Sequence, residues 1–202
     1  MKKYLLVLGV VLFLMSSCAS TGTTVQRVDS NTRIDLSGYW NDTDVKIVCQ
    51  ALIDDCLNSP RVNQAIRAMR GKTPVVLVGR FKNDSSEHID TSIITTTMET
   101  VIFNTGRMDF VAGGSTRDAL RAERQDQLSN ASEATAAALG NETGADFMLF
   151  GSVKTIVDRA GNQTVRTYFV SAEMTNVETN QRMWMATNSE IKKIVTQAKN
   201  KL

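Results

Sequence analysis

The chain has 202 residues, of which 42% are hydrophobic, and this length is enough for one medium-sized domain with its own buried core. Its formal charge of only +2 does not suggest the strongly basic character that is typical of nucleic-acid-binding proteins. Lys2 and Lys3 account for the whole excess, because the rest of the chain carries equal numbers of basic and acidic side chains.

The N-terminal segment predicts an exported protein that is held on a membrane by lipid. Two lysines are followed by the 12-residue apolar run Tyr4–Met15, and small residues then lead to Cys18. This order is typical of an export signal. As a helix the run would extend ~18 Å, which is short for ~30 Å of hydrocarbon. We therefore predict a lipoprotein signal peptide at residues 1–17 and lipidation of Cys18.

Two alternatives for this segment stay open, namely cleavage without lipid after Ala19 and an uncleaved anchor. Alanine after the lipidated cysteine favours the outer membrane under the usual enterobacterial sorting rule. Residues 18–34 are rich in Ser, Thr, Gly and Asn, which predicts a flexible lipid-anchored tether with a mean span of ~22 Å. Residues 35–202 are predicted to form a single periplasm-facing globular domain.

The first predicted helix covers residues 43–58. Its apolar side chains share one arc, which predicts a core-facing stripe formed by Val45, Val48, Cys49, Leu52, Ile53 and Cys56. Asn41 or Asp42 caps this helix, and a metal site at Asp42 and Asp44 is the less favoured interpretation. Tyr39 and Trp40 are expected to pack over the helix start, with an exposed aromatic anchor as the alternative.

Cys49 and Cys56 are predicted to be buried free thiols. They are seven residues apart in the first helix, so their Cα atoms would lie ~10.5 Å apart. This distance exceeds the ~7 Å limit for a disulfide.

The remaining elements predict an α+β fold, an α/β sandwich with a mixed sheet of about five strands and about four to five helices. A buried central strand is predicted at residues 73–81, and period-two alternation from residue 145 predicts a C-terminal antiparallel meander. The predicted helices after the first cover residues 61–70, 90–104, 115–128 and 132–139, and the predicted strands after the central one cover 108–112, 147–157, 164–174 and 182–194.

Two surfaces are candidates for binding a partner. The loop that follows the central strand contains Asp84, Glu87 and His88, the only histidine of the chain. The other candidate is the helix at residues 115–128, where three arginines at i, i+4 and i+7 share one face and could meet an acidic partner: Arg117, Arg121 and Arg124. For both segments a structural role, in capping or in a solvated helix face, is the alternative interpretation.

Catalytic chemistry and metal binding are not predicted. An enzyme would need His88 as a general base oriented by Glu87 or Asp84. The sequence offers no nucleophile elbow, no second histidine and no phosphate-binding loop to accompany it. We therefore predict neither a catalytic residue nor a metal site nor a cofactor.

The sequence resembles the penicillin-binding-protein activator lipoproteins of the LpoB type. The matching blocks are 35–44 (DLSGYWNDTD), 74–79 (PVVLVG), 87–91 (EHIDT), 144–146 (GAD), 150–151 (FG) and Trp184. The resemblance implies a fold like the N-terminal domain of TolB. It also implies an outer-membrane lipoprotein, facing the periplasm, that stimulates a peptidoglycan synthase without doing chemistry itself.

The short tether leaves a second function open. At full stretch 16 residues reach ~55 Å, whereas the enterobacterial activator carries a long linker. A structural or assembly lipoprotein of the outer membrane, with a different or self-associating partner, is therefore the alternative to a synthase activator.

Overall fold

The computed structural model describes residues 25–30, 32–130 and 143–198. The chain divides into two compact units, residues 1–32 and 33–202, and the second unit contains all the helices and strands described below. The signal peptide, Cys18 and the helix predicted at 132–139 lie outside the described residues.

The described residues form an α+β fold with four helices and six strands. The helices are α1 (Asp42–Asn58), α2 (Pro60–Ala68), α3 (Thr91–Thr105) and α4 (Gly114–Asn130). The strands are β1 (Val75–Asn83), β2 (Asp109–Phe110), β3 (Phe147–Ala160), β4 (Gln163–Asn176), β5 (Arg182–Asn188) and β6 (Lys192–Thr196).

All six strands join one mixed sheet in the order β2-β1-β3-β4-β5, and β6 also pairs with β4. Strand β1 is parallel to both β2 and β3, because helices connect these strands in the sequence. Strands β3, β4 and β5 are antiparallel and follow one another through short turns. The predicted central strand and meander are therefore confirmed.

Helix α1 forms as its sequence indicates. Asn41 accepts a hydrogen bond from the backbone N–H of Asp44, and the Asp44 carboxylate accepts one from the backbone N–H of Asn41. This reciprocal capping box satisfies backbone donors at the helix start. The predicted apolar stripe is confirmed, since all six of its residues are buried against the sheet core.

Strand β4 supplies the other side of the core. Its side chains alternate between buried and partly exposed, and the buried face carries Tyr168, Val170, Ala172 and Met174, as predicted. Gly151 of β3 lies opposite Ala172, and a Cβ atom at Gly151 would overlap the backbone oxygen of Ser171 and the ring of Phe81. A glycine is therefore required where the Phe81 ring of β1 and the β4 backbone both lie close to β3.

The prediction of one continuous strand over residues 182–194 is wrong. The segment forms two strands, β5 and β6, which pair with different parts of β4. Asn188 ends β5 and its side chain accepts a hydrogen bond from the backbone N–H of Glu190, a local turn that interrupts the ladder. Ile191 beyond this turn is buried.

Candidate partner-binding surfaces

A buried ion pair holds the loop after β1 against β4. The Arg166 guanidinium lies 3.3 Å from the Glu87 carboxylate, and their side chains are only 11% and 7% exposed. The hydroxyl of Tyr168 donates to the same carboxylate at 2.8 and 2.9 Å. Burial and the hydrogen bond to Glu87 raise the pKa of Tyr168. Glu87 therefore has an internal role that holds its loop on β4.

The segment that precedes α1 closes over this ion pair. Trp40 packs on the Tyr168 ring with centroids 5.2 Å apart, whereas Tyr39 is 52% exposed and carries the Arg166 guanidinium over its ring at 4.3 Å. The predicted aromatic lid is thus Trp40, and Tyr39 forms the outer layer. Lys193 adds a second buried pair with Asp44.

A basic side chain also ties the start of the folded unit to β6. The Lys193 ammonium donates to the Tyr39 carbonyl at 2.8 Å and lies 3.0 Å from Asp35. Hydrogen bonds from Lys193, Asn41 and Arg33 lower the pKa of Asp35 to about 2. We call residues 33–44 the clasp, because they join β6 to the start of α1.

The loop side chains predicted to contact a partner separate into two groups. Asp84 and His88 are exposed residues, but the Asp84 side chain itself is only 28% exposed and lies 2.8 Å from the exposed ammonium of Lys82. Glu87 points inward and is bonded to Tyr168 and Arg166, so it does not orient His88 in the way that a general base requires.

The three arginines of α4 also differ in their surroundings. Arg117 and Arg124 line a cleft of about 570 Å³ between α4, the end of α3 and β2, whereas Arg121 is exposed. The Arg117 guanidinium donates to the Ala112 carbonyl at 2.8 Å, so it fixes the start of α4 beside β2.

The apolar part of this cleft was not predicted. Phe103 is 70% exposed and Leu120 is 46% exposed, and the ring of Phe103 lies 6.3 Å from that of Phe110. Exposed large apolar side chains beside arginines are typical of protein–protein interfaces. We call the cleft with its rim the β2 cleft; its members are Phe103, Phe110, Arg117, Leu120, Arg121 and Arg124.

Sequence signals for these arrangements differ in strength. Arg166 occupies the inward-facing position of β4, two residues before Tyr168, and a charge at such a position indicates a buried partner. No comparable pattern marks Phe103, because it lies at the end of α3 and meets Phe110 only in the folded chain.

Two further kinds of feature concern residues 25–30, 32–130 and 143–198, the ranges that the structure describes. In those ranges no three His, Cys, Asp or Glu side chains are grouped so as to hold a metal ion. Within the same ranges, no helix has the length and apolar character needed to cross a bilayer.

The fold is that of a small α+β domain, and its two candidate partner-binding sites are an exposed loop and an open cleft. The chain belongs to the peptidoglycan-synthase activator LpoB family, whose profile matches residues 44–191 and so covers most of the folded unit. The predicted family is therefore confirmed. No curated protein matches the sequence.

Solved structures of similar chains have low identity. The LpoB C-terminal domain from Escherichia coli has 17% identity and a TM-score of 0.45, over 76% of this chain and 99% of that one. The equivalent Salmonella enterica domain has 17% identity and a TM-score of 0.43 over the same shares. Lipoprotein GNA1162 from Neisseria meningitidis has 15% identity and a TM-score of 0.40, over 63% of this chain and 88% of that one.

Proposed function

We propose that this protein is a non-enzymatic lipoprotein that binds and activates a peptidoglycan synthase, a penicillin-binding protein, from an anchor at Cys18 in the outer membrane. The observation that carries the proposal is the family match over residues 44–191. The export signal and the cysteine at its end support the anchor. A mass measurement of the mature N-terminus in wild type and Cys18→Ser tests the lipid.

The β2 cleft is the surface that we propose for the synthase. It combines aromatic side chains, of which Phe103 is exposed, with arginines, and the centre of an interface is enriched in aromatic residues and arginine. Arg121 follows Leu120 of the cleft on the same helix and is exposed, so it is the arginine that we propose for a partner carboxylate. Asp84 and His88 form the second exposed candidate.

The test measures glycan polymerisation by a synthase of the host with and without the mature chain. We expect Arg121→Glu and Phe103→Ser each to weaken stimulation roughly tenfold. Arg121→Glu places a negative charge opposite the partner carboxylate, and Phe103→Ser removes an apolar anchor. Arg61→Glu, at the start of α2 and outside the cleft, is the matched control. Full stimulation by both cleft variants would exclude this surface and leave Asp84 and His88, tested by their alanine variants.

A second function, a self-associating assembly lipoprotein of the outer membrane, is supported by the 16-residue tether, whose reach is ~55 Å. Sedimentation of the mature chain over a range of concentrations tests it. A concentration-dependent oligomer without synthase stimulation would favour this function, and a monomer at all concentrations would exclude it.

A further inference from the structure

A second cavity continues the β2 cleft along α3. It has a volume of about 420 Å³, and it shares four lining residues with the cleft: Phe103, Phe110, Val111 and Ala112. Of the side chains that line these two cavities, Arg124 belongs to the first alone and Glu99 to the second alone. The joined cavities, which we call the α3 groove, therefore have an arginine on one side of the shared residues and a carboxylate on the other.

Glu99 is placed to face this groove by the geometry of α3. It lies four residues before Phe103, and residues four apart share one face of a helix with their Cβ atoms ~6 Å apart. Both residues line the second cavity, and Glu99 is partly buried there. The carboxylate and the exposed aromatic ring therefore form one continuous feature of the groove wall.

The Glu99 carboxylate is a charge without a counter-charge. Among the residues that the structure describes, no cation and no hydrogen-bond donor pairs with it. Burial raises the pKa of Glu99, because the carboxylate has lost contacts with water. Arg117 of the adjoining cavity donates to the Ala112 carbonyl instead. A carboxylate that loses water without gaining a partner costs folding free energy, so Glu99 does not stabilise the described fold.

We propose that Glu99 receives a lysine or arginine of the synthase, on a segment that lies in the α3 groove. The inference rests on the proposed function, because it states the chemistry that the partner must bring to the same cleft. A long cationic side chain can pack its methylene groups on the Phe103 ring and place its charge at Glu99. The carboxylate thereby gains the counter-charge that the fold does not supply.

Opposite charges along the groove also fix the direction of the bound segment. Glu99 attracts a cation at one end, and the α4 arginines attract a carboxylate at the other, with the apolar residues of the groove between them. A segment with the reverse order of charges would meet like charge at both ends. Glu99 is therefore a residue that determines which partner segment binds and in which orientation.

The experiment measures two quantities, the affinity of the mature chain for the synthase and its thermal unfolding. We expect Glu99→Gln to weaken binding about fivefold and Glu99→Lys about fiftyfold, because the first removes the attraction and the second repels the partner cation. Glu99→Gln should not lower Tm, since the carboxylate forms no ion pair within the described fold. A residue that served the fold alone would lower Tm when it is replaced.

Asp118→Lys is the matched control for Glu99→Lys. It makes the same change of net charge at an exposed residue of α4 that lines neither cavity of the groove, and it should change binding less than about twofold. Unchanged binding by Glu99→Gln, a lowered Tm in that variant, or equal losses in the two lysine variants would overturn the inference.

Failure of this inference is distinguishable from failure of the proposed function. If Phe103→Ser and Arg121→Glu weaken binding whereas Glu99→Gln does not, the synthase uses the β2 cleft without a cation at Glu99, and only the inference is lost. A wild-type chain that binds no synthase would overturn both.

Discussion

At the scale of single residues, the charge of Glu87 is the most consequential. Its carboxylate is 7% exposed and neutralises Arg166, which is 11% exposed, while it also accepts from Tyr168. The sequence presented Glu87 as part of an exposed loop, because residues 82–88 are polar and lie between a strand and a helix. Its inward orientation depends on β4, whose Tyr168 is 81 residues further along the chain.

We expect Glu87→Gln to lower the free energy of unfolding by about 3 kcal/mol, because it leaves the Arg166 charge buried without a counter-charge. Urea unfolding measures the change. Asp84→Asn in the same loop is the control, and it should cost less than about 1 kcal/mol since its partner Lys82 is 77% exposed. Equal costs in the two variants would show that the buried pair does not stabilise the fold.

The buried thiols lead to a second expectation at this scale. Burial raises the pKa of Cys49 and of Cys56 to about 12. At pH 8 only about 10⁻⁴ of each thiol would be thiolate, the reactive form. In the mature chain from Ala19, iodoacetamide should modify neither thiol at pH 8 until urea unfolds the protein. Rapid modification of the folded chain, detected by mass, would contradict this burial.

At the scale of elements, α1 and β4 followed their sequence periods, whereas β5 and β6 did not form one strand. Alternation predicts which side chains face the core, and it predicted Tyr168, Val170, Ala172 and Met174 correctly. Alternation does not say which neighbour a strand pairs with. The division at Asn188 depends on β4, which pairs with β5 in one part and with β6 in another.

A substitution at Gly151 tests how closely β3 packs against its neighbouring strands. An added methyl group would overlap the Ser171 backbone oxygen and the Phe81 ring, so we expect Gly151→Ala to cost about 2 kcal/mol and to lower Tm by about 5 °C. Gly144→Ala is the matched control, because no heavy atom lies within 4 Å of its added Cβ. Calorimetry measures both, and a stable Gly151→Ala variant would mean that β3 and β4 can move apart.

At the scale of the whole molecule, the proposed anchor and the tether decide what the domain can meet. Residues 18–34 are predicted to span ~22 Å on average, which keeps the domain near its own membrane. A synthase in the opposite membrane must then extend toward it.

Insertion of about 30 Gly and Ser residues after Thr23 raises the mean span to ~37 Å. If reach limits the encounter, crosslinking between this protein and the synthase in living cells should increase. Insertion of 30 such residues after Ala198, at the opposite end of the chain, controls for added length alone. A fall in crosslinking after the tether insertion, or an equal change in the control, would indicate that reach is not limiting.

The sequence by itself determined most of the elements, the core-facing residues of α1 and β4, and the family, because these follow from local periodicity, capping residues and short motifs. Only the tertiary structure decided that Glu87 is buried, that β5 and β6 are separate, and that Phe103 and Phe110 form a cleft with the α4 arginines. Each of these depends on contacts between residues far apart in the chain, and such contacts leave no local pattern. The same reason explains why lipidation of Cys18 and the α4 arginines could be proposed from the sequence, whereas the apolar part of the β2 cleft needed the fold.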